Sequence, residues 1–138
     1  MSAKQISVFL ENTSGRLSKV TQALAQGGIN LRAISIADTA DFGILRIIVD
    51  NTDKAVETLN KAGFTTRLTD VAAVQIDDVP GSLARLMELF QASNVNIEYL
   101  YASLESTGSK AVIIFKLQDH ARGMRIITDN DLKLAEKF

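Results

Sequence analysis

The chain has 138 residues, 46% of them hydrophobic and 22% charged, with eight glycines, one proline and no cysteine; disordered, collagen-like and disulfide-built scaffolds are excluded. Fifteen Lys and Arg against sixteen Asp and Glu leave a net charge of -1, without the cationic surplus that nucleic acid or anionic lipid demands. The lack of cysteine removes thiolate chemistry, and His120 alone cannot make a histidine metal cluster, so no metal, cofactor or nucleic-acid partner is expected.

In chain order, the apolar stretch from Ile6 to Leu10 reads as a strand and is too short for a signal peptide or a membrane span, which makes cytoplasmic residence without a membrane partner the expectation. Asn12, Thr13, Ser14 and Gly15 supply helix-capping chemistry, and Leu17, Val20 and Leu24 recur at helical spacing until Gly27 and Gly28. Ile29 to Ala37 and Ile44 to Val49 read as a hairpin turning at Thr39 to Gly43. A second helix from Thr52 or Asp53 to Gly63 carries Val56 and Leu59 inward, and Phe64 to Leu68 returns as a strand.

Sliding the chain by 66 residues then aligns Ile6–Ala55 with Ala72–Ala121 without a gap, with identities at Val8/Val74, Gly15/Gly81, Leu17/Leu83, Asn30/Asn96, Ile47/Ile113, Ile48/Ile114, Asp53/Asp119 and Ala55/Ala121. Two modules are expected, residues 1–69 and 70–138, each a ferredoxin-like βαββαβ unit with an antiparallel sheet, an α+β fold. Pro80 is preset for the first turn of the second module's first helix, and Leu83, Leu86, Met87 and Phe90 form its stripe. Gly123 follows Asp119 by four residues where Gly63 follows Asp53 by ten. The second module is therefore expected to have a shortened second helix, a last strand at Met124–Thr128, and a terminal helix capped at Asp129–Asp131 and carrying Leu132, Leu134 and Phe138. Strands Ile44–Val49 and Ala111–Phe115 are apolar on both faces, which points to pairing of modules and to a homodimer.

The run Glu11-Asn12-Thr13-Ser14-Gly15-Arg16-Leu17, followed by Val20, Leu24 and Gly28-Ile29-Asn30-Leu31, resembles an ACT domain, a small ligand-binding regulatory module, and Asp77 to Leu83 with Val95-Asn96-Ile97 is similar to the same pattern. Ser35 to Arg46 resembles the hairpin of stand-alone tandem ACT proteins. The resemblance implies a non-catalytic regulatory protein that binds a free amino acid between paired modules, held by a loop asparagine and a strand-opening asparagine, and that signals to a protein effector or through self-association. Asn12 and Asn30 stand at those positions, and Asp78 and Asn96 repeat the spacing with one change of charge. The ligand-binding set so implied is Asn12, Thr13, Ser14, Gly15, Arg16, Leu17 and Asn30 in the first module and Asp78, Gly81, Ser82, Leu83 and Asn96 in the second. Read without the resemblance, Asn12, Ser14 and Asp78 are helix caps, Asn30 and Asn96 are turn residues, and Arg16 serves an anion or is solvated. An RNA-binding protein of the same topology and a small enzyme of related fold are the alternatives. The first lacks the aromatic and glycine pattern such strands carry, and the second lacks a nameable base for any serine.

Overall fold

The computed structural model describes residues 3–38, 41–104 and 108–135, so positions 39–40 of the expected hairpin turn and 136–138 of the expected terminal helix lie outside the described residues. The order is β1 (Ala3–Glu11), α1 (Arg16–Gln26), β2 (Leu31–Asp38), β3 (Phe42–Val49), α2 (Thr52–Lys61), β4 (Thr65–Asp77), α3 (Ser82–Ala92), β5 (Ile97–Ala102), β6 (Lys110–Leu117), α4 (His120–Asp129) and β7 (Lys133–Leu134). Two compact units divide at Thr69/Asp70, inside the long strand β4. Each is a βαββαβ module, with strand order β2-β3-β1-β4 in the first and β7-β4-β6-β5 in the second.

In the first module, Ile6, Val8 and Leu10 alternate along β1 and meet Leu45, Ile47 and Val49 of β3 in a core closed by Val20 and Leu24 of α1 and Ala55 and Leu59 of α2. Leu17, at the head of the expected α1 stripe, is instead 42% exposed. Asn51 caps α2, its Oδ1 accepting the Lys54 amide at 3.1 Å, which satisfies one of the first-turn donors. The second core repeats the arrangement with Ala72 and Val74 of β4, Leu86 and Phe90 of α3, Phe115 and Leu117 of β6, and Ile127 of α4. The rings of Phe90 and Phe115 lie 5.6 Å apart, tilted by 57°.

The register corrects the gapless alignment. Ile6 faces Ile47 in the first sheet, whereas Ala72, its equivalent, faces Phe115. Equivalent positions are therefore 66 apart through β1, α1 and β2 and 68 apart from β3 onward, since Ile36 faces Leu45 and its equivalent Ala102 faces Ile113. Ile47 corresponds to Phe115, and Asn51 to Asp119, which caps α4 through Oδ1 at 3.1 Å from the Arg122 amide.

The shortened second helix is overturned by the same shift. Helix α4 has ten residues, as α2 does, and contains both Gly123 and the expected strand Met124–Thr128. The expected terminal helix is replaced by β7, whose Leu134 pairs with Val74 of β4. Gly123 is a packing residue, not a stop: a Cβ there would come within 2.1 Å of Leu117 Cδ1. Its equivalent in the first module is Ala55, and that of Leu117 is Val49, so one module pairs the larger helix residue with the smaller strand residue and the other reverses the sizes. Pro80 likewise lies in the turn ahead of α3 and not in its first turn. Gly123→Ala should destabilise the protein by about 1 to 3 kcal/mol through overpacking, and adding Leu117→Val should recover most of that loss in urea unfolding. Equal stability of Gly123→Ala and the parent would contradict this packing account.

Candidate functional site

The β1–α1 loop is built around a backbone conformation that side chains resist. Gly15 takes φ +87° at the N-cap of α1, and Gly81 takes φ +89° at the N-cap of α3, a left-handed conformation that glycine reaches without steric cost. Neither helix has a side-chain cap. The N-cap position itself is thus a glycine in both helices, whose first amides, of Arg16 and Ser82, donate to the Thr13 and Val79 carbonyls at 3.4 and 3.3 Å, and the positive end of each helix dipole faces the loop. The loops are tethered identically: the Asn12 amide donates to the Asp41 carbonyl at 3.0 Å, and the Asp78 amide to the Ser109 carbonyl at 2.7 Å.

Asn12, Thr13, Ser14, Gly15, Asp78 and Gly81 are exposed around these turns. Leu17 and Leu83 stand beside them, 42% and 37% exposed, so each loop presents polar backbone next to an aliphatic side chain. Ser82 is buried, and its Oγ accepts from Arg85 Nη2 at 3.5 Å. Arg16 is half-buried, its guanidinium carbon 4.8 Å from the centre of the Phe64 ring, so it is not the solvated arginine that the sequence alone suggested.

The two asparagines of a module do not meet. Asn30 lies where β3 ends, its amide 3.1 Å from Asp50 Oδ1 and its carbonyl accepting the Asp50 amide at 3.2 Å. Asn12 lies where β3 begins, because Glu11 faces Phe42. The eight residues of β3 separate them by on the order of 20 Å, far beyond the reach of one free amino acid. In the second module the Gln118 amide donates to the Asn96 carbonyl at 3.0 Å, at the corresponding far end from Asp78. The sequence supplied the two positions but not this separation, which arises because α1 carries the chain from one end of the sheet to the other between them.

At the mouth of the second loop Asp77 pairs with Lys110, a partnership absent from the sequence reading. The lysine's hydrogen bond and charge, with a smaller contribution from Arg85, hold the Asp77 carboxyl below its ordinary range. Among the described residues no group of His, Asp or Glu is arranged to hold a metal ion, and no helix is long and apolar enough to cross a membrane.

A family model described as an ACT domain pair matches residues 1–137. The chain belongs to the ACT domain pair family. Its fold is similar to that of the protein BT0572 from Bacteroides thetaiotaomicron, at TM-score 0.92 and 39% identity over 98% of this chain and 92% of that one. A shared fold is also seen with the regulatory subunit of aspartate kinase from Thermus thermophilus, at TM-score 0.66 and 21% identity over 91% of this chain and 90% of that one. Among curated proteins the chain is 30% identical over 101 residues to the acetolactate synthase small subunit of Buchnera aphidicola subsp. Baizongia pistaciae, covering 72% of this chain and 62% of that protein. It is 29% identical over 105 residues to the acetolactate synthase isozyme 3 small subunit of Escherichia coli strain K12, covering 75% and 56%. The chain thus spans about three-fifths of the length of these relatives.

Because the folded Asp77 carboxyl is depressed, the pair's contribution is present above the ordinary carboxylate pKa and is lost as pH falls through the lowered value, in the window below about pH 4. Lys110→Met should move the Asp77 titration, followed by carboxyl NMR shifts, to higher pH; an unmoved titration would remove Lys110 as the cause.

Proposed function

We propose that this ACT domain pair is a non-catalytic regulatory protein that senses a free amino acid and passes the signal by contact with an effector protein or by self-association. The observation that carries the reading is the doubled loop: a left-handed glycine opens a helix without a side-chain cap, beside an exposed aliphatic residue and an asparagine or aspartate. The positive end of the helix dipole suits a carboxylate, and the neighbouring amide or carboxylate side chain suits an ammonium. The likeness to acetolactate synthase small subunits supports a regulatory role and makes a biosynthetic enzyme's catalytic subunit the kind of effector to look for.

Because Asn12 and Asn30 stand at opposite ends of their module, one ligand that touches both kinds of asparagine needs two modules, and we place it between copies of the chain. Ligand held in that way stabilises the paired form by mass action, by about 2.7 kcal/mol at a hundredfold excess over its dissociation constant. Asp78 adds a negative charge where the first loop has Asn12, so the second loop favours the ammonium over the carboxylate and binds a zwitterion less tightly.

A thermal-shift panel of the twenty amino acids should raise the melting temperature with at least one of them. For that ligand, Asn12→Ala or Asn30→Ala should weaken binding by about 1 to 3 kcal/mol in calorimetry, and Asp78→Asn should strengthen the weaker site. Unchanged affinity in both alanine variants would remove the asparagine assignment, and an unresponsive panel at millimolar concentration would remove amino-acid sensing.

A further inference from the structure

The second module contains a cavity of about 560 Å³, and at the equivalent place in the first module Arg16 and Phe64 pack together. The cavity lies between the end of β4, the first turns of α3 and the segment 130–133 that follows α4. The equivalents of its Ser82 and Leu132 are Arg16 and Phe64. The backbone fixes that correspondence: the Lys19 and Arg85 amides both donate to the N-cap glycine carbonyls at 3.0 Å, and Phe64 and Leu132 donate to Leu59 and Ile127 at 3.0 and 3.1 Å. In the first module the Arg16 guanidinium lies over the Phe64 ring with its Nε buried. Serine and leucine in the same places leave the space open.

The lining selects a kind of ligand. Ile76, Leu86 and Leu132 give the cavity an apolar floor, and its volume falls in the range of small-molecule sites. Of the charged groups on its rim, Asp77 and Lys110 neutralise each other, which leaves Arg85 and Lys133 facing Asp131, an excess of one positive charge. Arg85 folds back over the first turn of α3, its Nη2 on Ser82 Oγ and its Nη1 3.9 Å from where a Gly81 Cβ would stand. The guanidinium is thus at the mouth, where a carboxylate is matched by its planar fork.

We propose that this cavity is a second ligand site, separate from the asparagine positions, that takes a small aliphatic monocarboxylate with its carboxyl group on Arg85 and its hydrocarbon on Ile76, Leu86 and Leu132. Ser82, assigned from the sequence to the loop site, belongs to this cavity. In the first module the arginine and phenylalanine pair stands where the second module has Ser82 and Leu132.

Titration of the full chain with 4-methylpentanoate and with its uncharged amide, followed by calorimetry and amide NMR, tests the proposal. The carboxylate should bind at least about tenfold more tightly than the amide, and Arg85→Met should lose about that factor. The double variant Ser82→Arg with Leu132→Phe, which plugs the cavity as the first module does, should keep its melting temperature and lose binding. Asn12→Ala should bind as the parent does, which separates this site from amino-acid sensing. Absence of binding by the parent, equal affinity for carboxylate and amide, or full affinity in the plugged variant would each overturn the proposal. Should the plugged variant fail to fold, the amide comparison and Arg85→Met decide the matter.

Discussion

The loop conformation at Gly15 and Gly81 is the constraint on which the rest depends. A left-handed glycine at the helix N-cap turns the chain from the end of β1 or β4 straight into α1 or α3, and the glycine itself offers no capping side chain. A β-branched or large residue there would be strained. The consequence is structural and chemical together: the helix starts against the sheet, and the positive end of its dipole faces the loop. The same turn sets the direction of the residue just inside the helix, where Arg16 plugs one module and Ser82 opens the other.

Two copies of one architecture have been tuned by compensating changes of size. Val49 with Ala55, and Leu117 with Gly123, hold similar bulk at the same place between a strand and a helix, which is how cores tolerate substitution while remaining close-packed. Arg16 with Phe64, against Ser82 with Leu132, is the place where the changes do not compensate, and a cavity results.

Much of the fold was legible because strand alternation, helical stripes and the glycine and asparagine punctuation recur in order. What misled was local. A helix glycine that packs against Leu117 looks the same in sequence as a helix stop, and a two-residue lengthening of one hairpin is invisible to a gapless alignment that still finds Ile47/Ile113 and Asp53/Asp119 as identities. Sliding by 68 after the hairpin would have paired Asn51 with Asp119 and Leu59 with Ile127, and so revealed α4. For the site, residue types and spacing pointed to the loops, while the distance between Asn12 and Asn30, the Arg16 contact with Phe64, and the Asp77–Lys110 pair depend on the tertiary packing alone.

The central claim is that an amino acid is held by two ends of the module fold at once, and amide NMR of the uniformly labelled chain titrated with the amino acid that stabilises it tests this most directly. The account predicts the largest shifts in two separate stretches, the loop amides from Asn12 to Leu17 and the Asn30–Leu31 amides at the other end of the sheet, saturating at one concentration. Shifts confined to one of those stretches, or saturating at different concentrations in the two, would contradict it.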